Sequence, residues 1–426
     1  MKRLFFVFLL ITLLVFSSFS AFAGGTQEKK AEAKPETITA LFGIDAAGKN
    51  MGKRAEEFTA DTGIKVNLIE VEWDAMVQKQ SVALTANEPT YDIVDCGSFM
   101  LPEYVPSGKY ADISDMFPTA EKGKFMEGMI DSVTIDGKVY AAPLMASWTI
   151  MFYNTEMFKN AGLDPTRPPK TWDELVAYGK KLQSKDTYAY TDSLGPGEYV
   201  TTAYFRWAKS AGAKISEWQG NRVKWLLDSP EGVKALDFLK KMLADGIMDP
   251  GSPTYYQQQI ADLFGKGHAA MFVNWDMMQI AFKNPEQTQY AGKINAANMP
   301  GIKEGLSGSI EGHEYLAVPS PSQHKDAAKK FIKYLQTNKV QKMRAVQEGM
   351  TPVLKELFDD PEVKKVLPLD VIFQSAKNCY YRPAIPQYTQ CSDIISTEIQ
   401  NALVNNKDSR QALTDANNKC NALLGW

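Results

Sequence analysis

Between residues 37 and 98 the chain alternates extended apolar runs with amphipathic stretches, and this alternation constrains the fold more than any other feature. Residues 37–42 (TITALF) read as a strand and 53–60 as a helix. Residues 63–71 (GIKVNLIEV) read as a second strand, followed by a helix to about residue 86. Residues 91–95 (YDIVD) read as a third strand, ending at Cys96, Gly97 and Ser98. Strands joined through helices pair in parallel, because a parallel connection needs a crossover long enough to hold a helix. The expected class is α/β, with sheets flanked by helices. At 426 residues the chain exceeds the roughly 250–300 at which one core stops growing, so two lobes are expected.

Further along, the helix signals are explicit. Thr171 and Glu174 are spaced as a capping box, and Ser229 followed by Pro230 marks a helix start that Gly246 closes. That helix carries one apolar stripe: Val233, Leu236, Leu239, Met242 and Leu243. Residues 326–335 read as a helix burying Phe331, Ile332 and Leu335, and two helices at about 391–405 and 409–424 end the chain.

The N-terminus reads as a cleaved secretory signal peptide. Lys2 and Arg3 precede an apolar run at residues 4–16, too short for a membrane span of about 20, and Ala21-Phe22-Ala23 is a small-x-small cleavage site. Residues 24–36 (GGTQEKKAEAKPE) are small, charged and aperiodic, which suits a tether. The first cysteine is Cys96, so no acceptor for a lipid anchor lies near the cleavage site. Export to the periplasm is expected. Cys96, Cys379, Cys391 and Cys420 are then free to oxidise. Three of them fall in the last 50 residues, so one local bridge is expected there, with Cys96 left as a buried thiol.

Charge excludes one class of partner. With 47 Lys and Arg against 50 Asp and Glu the chain has no basic footprint for nucleic acid. Residues 43–50 (GIDAAGKN) imitate a phosphate-binding loop but end in Asn50, where a Ser or Thr must hold the metal. Residues 305–309 (GLSGS) imitate a nucleophile elbow without its last glycine. The three histidines, His268, His313 and His324, have no metal-ligand spacing. No cofactor or metal is expected.

Aromatic residues stand out in clusters: Trp148, Tyr199, residues 204–207, Trp275, and Tyr380-Tyr381-Arg382. Aromatic faces stack on sugar rings while carboxylates and amides bind hydroxyls. Both sugar binding and sugar hydrolysis use these groups, so a secreted glycoside hydrolase is an open alternative.

From residue 137 several segments follow one order: 137–143 (GKVYAAP), 152–158 (FYNTEMF), 161–163 (AGL) and 169–175 (PKTWDEL). With 91–94 (YDIV), 264–271 (FGKGHAAM) and 349–352 (GMTP), they resemble the extracellular solute-binding proteins of ABC importers, in the large maltose-binding-protein-like sugar-binding family. The resemblance implies the type II periplasmic-binding-protein fold, in which two discontinuous lobes joined by hinge strands close on ligand. Those lobes would span 37–144 plus 301–352, and 145–300 plus 353–426. It implies a non-enzymatic monomer that captures a mono- or oligosaccharide and delivers it to the transmembrane subunits of an ABC permease. A binding protein for a non-sugar or anionic solute, such as a sugar phosphate, is a further alternative.

The family's cleft implies a set of ligand contacts. From the first lobe they are Asp45, Lys49, Trp73, Ser98 and Phe99, with Glu311, Gly312 and His313 facing the cleft. Trp148 lies beside the first hinge. From the second lobe come Glu198, Tyr199, Tyr204, Trp275, Asp276, Tyr381 and Arg382. Arg382 is the residue that would grip an anionic sugar, because its guanidinium presents a fork of donors. Maltose-binding members stack a tryptophan after strand three where this chain has Cys96, which argues against a plain maltodextrin subsite.

Overall fold

A computed structural model describes residues 35–44, 48 and 50–426. The expected signal peptide, nearly all of the expected tether, and the candidates Asp45 and Lys49 lie outside the described residues.

The first strands and helices follow the alternation: β1 (Thr37–Gly43), α1 (Met51–Thr62), β2 (Lys65–Val71), α2 (Trp73–Ala86) and β3 (Ile93–Cys96). The chain continues through β4 (Ala141–Met145), β5 (Thr149–Asn154), α3 (Trp172–Leu182), β6 (Tyr188–Thr191), α4 (Glu198–Ser210) and α5 (Pro230–Ala244). It ends with β7 (Ala269–Trp275), β8 (Ile294–Ala297), β9 (Glu314–Ala317), α6 (Lys325–Leu335), α7 (Tyr388–Leu403) and α8 (Ser409–Leu423).

These strands build two sheets. The first has the order β2-β1-β3-β9-β4 and the second β8-β5-β7-β6. In the first, β1 runs parallel to β2 and β3, while β9 returns antiparallel to β3 and β4. In the second, β7 pairs in parallel with β6 and antiparallel with β5. β4 and β5 bury every residue, as strands covered on both faces do.

Local chemistry sets the helix ends. Thr171 accepts the Glu174 N–H at 3.1 Å, but the reciprocal half of the expected capping box is absent. The Glu174 carboxylate instead takes the Lys170 N–H at 2.8 Å and the Arg167 guanidinium at 2.9 Å. Ser229 caps α5 through the Gly232 N–H, and its stripe turns inward except Leu243, which is half-buried. α7 begins three residues before the sequence signal, because Tyr388 packs into the core as its first residue.

Three segments cross between the sheets. Residues 146–148 carry the chain from β4 to β5, the run ending at residue 313 leads back into β9, and residues 350–353 lead on toward the C-terminal helices. They bind one another: the Ala146 N–H donates to the Thr351 carbonyl at 3.1 Å and the Gly312 N–H to the Ser147 carbonyl at 2.9 Å.

The expected local disulfide is not formed. All four cysteines are buried thiols. Cys391 and Cys420 face each other across α7 and α8, with the Cys420 thiol 3.6 Å from the Cys391 carbonyl oxygen. A water-soluble thiol reagent should therefore label none of the four in the native protein and all four after denaturation; a count of two after denaturation would show that a bridge exists.

Candidate functional site: a cleft between the two sheets

The carboxyl ends of the parallel strands converge on one cleft, as expected for open α/β sheets. Ile44 follows β1, Glu72 and Trp73 follow β2, and Phe99 follows β3; Trp275 ends β7 and Met277 follows it. The cleft encloses about 610 Å³, and an adjoining recess adds about 70 Å³. Trp73, Tyr199, Gln257, Trp275 and Met277 line both.

Two glycines shape the walls. Gly197 precedes α4 with φ 89° and ψ −150°, a conformation open essentially to glycine alone, and so sets where Glu198 and Tyr199 enter the cleft. At Gly312 a Cβ would lie 2.6–2.9 Å from three carbons of the Trp275 indole. The bare α-carbon lets the ring lie against the backbone.

The polar wall centres on Arg382. Its Nε donates to Glu311 Oε1 at 2.9 Å, its Nη2 to the Glu311 carbonyl at 2.6 Å, and its Nη1 to Glu198 Oε1 at 3.0 Å. The Phe99 ring, which follows β3, covers the guanidinium at 3.9 Å in a cation–π contact. Glu198 also accepts from the Tyr388 hydroxyl at 2.6 Å and from Ser392. Burial pushes the Glu311 carboxyl up, and the neighbouring guanidinium opposes that shift. Burial and the nearby Arg382 charge hold His313 down at about 3, so it is neutral. Its Nδ1 accepts the Ser147 N–H at 3.1 Å, which leaves the proton on Nε2 as a donor.

Asp276 sits beneath the cleft and ties the crossings together. Its carboxylate accepts from Ser147 Oγ at 2.6 Å, Thr351 Oγ1 at 2.5 Å and the Met277 N–H at 3.1 Å. Complete burial pushes it up to about 6 against those hydrogen bonds.

Of the expected contacts, Trp73, Phe99, Glu198, Tyr199, Trp275, Gly312, His313 and Arg382 line the recess together. The others do not. Tyr204 is a core residue, 1% exposed, with its hydroxyl donated to the Leu227 carbonyl. Asp276 is wholly buried in the crossing region, and Glu311 stands behind the wall as a partner of Arg382. Trp148 is buried under His313, edge-on at 4.7 Å. Ser98 and the exposed Tyr381 are not among the lining residues. The sequence reading missed Glu72, Thr202, Tyr256 and Gln257. Glu72 was within reach of the same argument that chose Trp73, whereas the others carry no local signal.

The resemblance to a nucleophile elbow is structural. Ser307 donates to the Met299 carbonyl at 2.7 Å and Ser309 to the Thr149 carbonyl at 2.9 Å, both buried. Among the described residues, no three His, Cys, Asp or Glu side chains are grouped to hold a metal ion, and no helix is long and apolar enough to cross a membrane.

Comparison with known proteins agrees with this architecture. The sequence profile of bacterial extracellular solute-binding proteins matches residues 44–342. A Deinococcus radiodurans protein named "Probable ABC transporter-binding protein" is 27% identical over 405 residues, covering 90% of this chain and 93% of that one. The arabinooligosaccharide-binding protein of Bacillus subtilis is 25% identical over 377 residues, covering 86% and 84%. The structure of T. maritima MalE3 with maltose bound superposes with a TM-score of 0.85 at 25% identity, covering 91% of this chain and all of that one. The fold is the type II periplasmic-binding-protein fold of such structures. With the profile matched over more than half its length, the chain belongs to the bacterial extracellular solute-binding protein family.

Proposed function

We propose that the protein is the substrate-binding subunit of an ABC importer and captures a mono- or oligosaccharide in the cleft between its sheets. The observation that carries this reading is the composition of the wall. Indole and phenol rings at Trp73, Tyr199, Tyr256 and Trp275 stand beside hydrogen-bonding groups at Glu198, Gln257, Asn274 and His313. Flat apolar faces beside fixed donors and acceptors are what a sugar ring, apolar on its C–H faces and polar at its rim, requires. Relatives named for arabinooligosaccharide binding, or solved with maltose, support the same class of ligand.

The lobes are 37–144 plus 301–352 and 145–300 plus 353–426, a division that keeps each sheet's strands in one lobe except for Met145, the last residue of β4. The three crossings act as the hinge, and closure brings both lobes onto the ligand. The mature protein, cut after Ala23 and without a lipid anchor, works as a periplasmic monomer and hands its cargo to the permease. It is not a hydrolase. Three donors already hold Glu198 as an acceptor, and Glu311 is engaged by Arg382, which leaves neither free for general-acid work.

A thermal-shift and calorimetric screen against neutral sugars and oligosaccharides tests this. A ligand at a hundredfold excess over Kd should stabilise the protein by about 2.7 kcal/mol. Trp275→Ala should weaken that binding by roughly 2 kcal/mol, about thirtyfold, with folding retained. Stabilisation by peptides or polyamines alone, or turnover of aryl glycosides, would overturn the proposal.

A further inference from the structure

Arg382 is the one cation among the described residues lining the cleft and its recess, and its side chain is 6% exposed. Three of its five side-chain N–H donors are directed at the protein itself: Nε and one from Nη2 at Glu311, and one from Nη1 at Glu198. Its backbone N–H adds a bond to Glu311 Oε1 at 3.2 Å, and Phe99 covers one guanidinium face. An arginine grips a carboxylate or phosphate best through two parallel N–H donors of its guanidinium. Here one Nη faces each glutamate.

The rest of the described lining adds negative charge. Glu72, Glu198, Asp262, Glu314 and Glu348 line the cleft or its recess, and Glu311 stands just behind it. Glu348 is paired with Arg344 at 3.1 Å, outside both linings. His313 adds no positive charge, being neutral. Next to Trp73 in sequence, burial and the charges of Glu198, Asp393 and Glu72 raise the carboxyl of Asp74, a sign of how densely carboxylates crowd this region. Low-dielectric walls lined by one sign of charge focus a field that repels like-charged ligands.

We infer that the cleft is specific for uncharged carbohydrate and rejects sugars bearing a carboxylate or a phosphate. Glu198 and Glu311 are the specificity-determining residues, because they neutralise the one arginine that could otherwise recruit an anion. This rests on the carbohydrate reading and narrows it. Amine-bearing sugars are tolerated, since their charge is opposite to that of the lining.

The experiment uses matched series: glucose, glucosamine, glucuronate and glucose 6-phosphate; galactose and galacturonate; arabinose; and the neutral disaccharides maltose and cellobiose. Each is titrated calorimetrically into the full mature chain at about 20 mM and about 500 mM salt, where screening differs strongly. In any series that binds, the neutral member should bind at least tenfold more tightly than its uronate or phosphate, and glucosamine no more weakly than glucose. Glu198→Gln, which removes the negative charge facing Nη1 while keeping an acceptor, should narrow the neutral-to-anionic ratio severalfold. High salt should narrow it in the wild type, which decides the matter if the variant does not fold. Anionic members binding as tightly as neutral ones would overturn the inference and leave the carbohydrate reading standing. A large ratio unmoved by either change would also overturn it, by making the exclusion steric. If no carbohydrate of any charge binds, the carbohydrate reading falls, and this inference with it.

Discussion

Glu311→Ala should lower the free energy of unfolding by about 3 kcal/mol, measured by urea or guanidinium denaturation at neutral pH. Breaking one side of a buried ion pair costs roughly 3–5 kcal/mol, because the remaining charge is left without compensation. Both side chains are 6% exposed, and Glu311 Oε1 takes both the Nε and the backbone N–H of Arg382. The lower end of the range applies because Glu198 still faces Nη1. A double-mutant cycle separates the pair from simple loss of packing. Adding Arg382→Met to Glu311→Ala should recover part of the loss, since no unpaired charge is then left buried. Equal, additive losses would mean that the two residues stabilise independently. Glu311→Gln keeps an acceptor for Nε and should fall between the two.

Asp276 should give the protein a stability that declines as the pH rises from about 4 to about 6. Its folded-state pKa is raised to about 6, above the unfolded value of 3.8, so the folded state binds the proton more tightly. Below 3.8 both states are protonated and the full benefit is present. It is withdrawn through the window between the two values and gone above about 6. A shift of about two units corresponds to about 3 kcal/mol. Asp276→Asn retains an acceptor for Ser147 and a donor for Thr351, and removes the titration. Denaturation curves at pH 4 and pH 7 should therefore show wild type losing about 2 kcal/mol relative to the variant across that interval. Parallel pH profiles would mean that Asp276 ionises as freely folded as unfolded. Because Asp276 joins two of the three crossings, the same ionisation bears on the proposed hinge.

The first sheet was legible because its information is local. Strand, crossover and strand recur within 60 residues, and each parallel strand sends a loop to the same edge, which is how Trp73 and Phe99 were found. Helix starts at Thr171 and Ser229 were legible for the same reason. What failed depended on partners distant in sequence. Ser147 lies 129 residues from Asp276 and Thr351 lies 75 from it, so no spacing rule could turn Asp276 from a ligand contact into a tie between crossings. Tyr204 lies about 140° round the helix from Tyr199, but α4 is buried on nearly every side, so its sequence does not say which of the two meets the cleft. Only the packing of α4 decides that Tyr199 lines the cleft while Tyr204 is buried. Arg382 drew attention as an anion grip because its two glutamate partners, 71 and 184 residues away, cannot be read from its neighbours.

Tryptophan fluorescence during carbohydrate titration tests the central proposal most directly, because Trp73 and Trp275 both line the cleft. A neutral sugar or oligosaccharide should produce a saturable change in the wild type. Trp275→Ala should shift the midpoint about thirtyfold higher with its circular dichroism unchanged. Saturable sugar binding that neither Trp275→Ala nor Trp73→Ala alters would place the ligand elsewhere and contradict a carbohydrate site in this cleft.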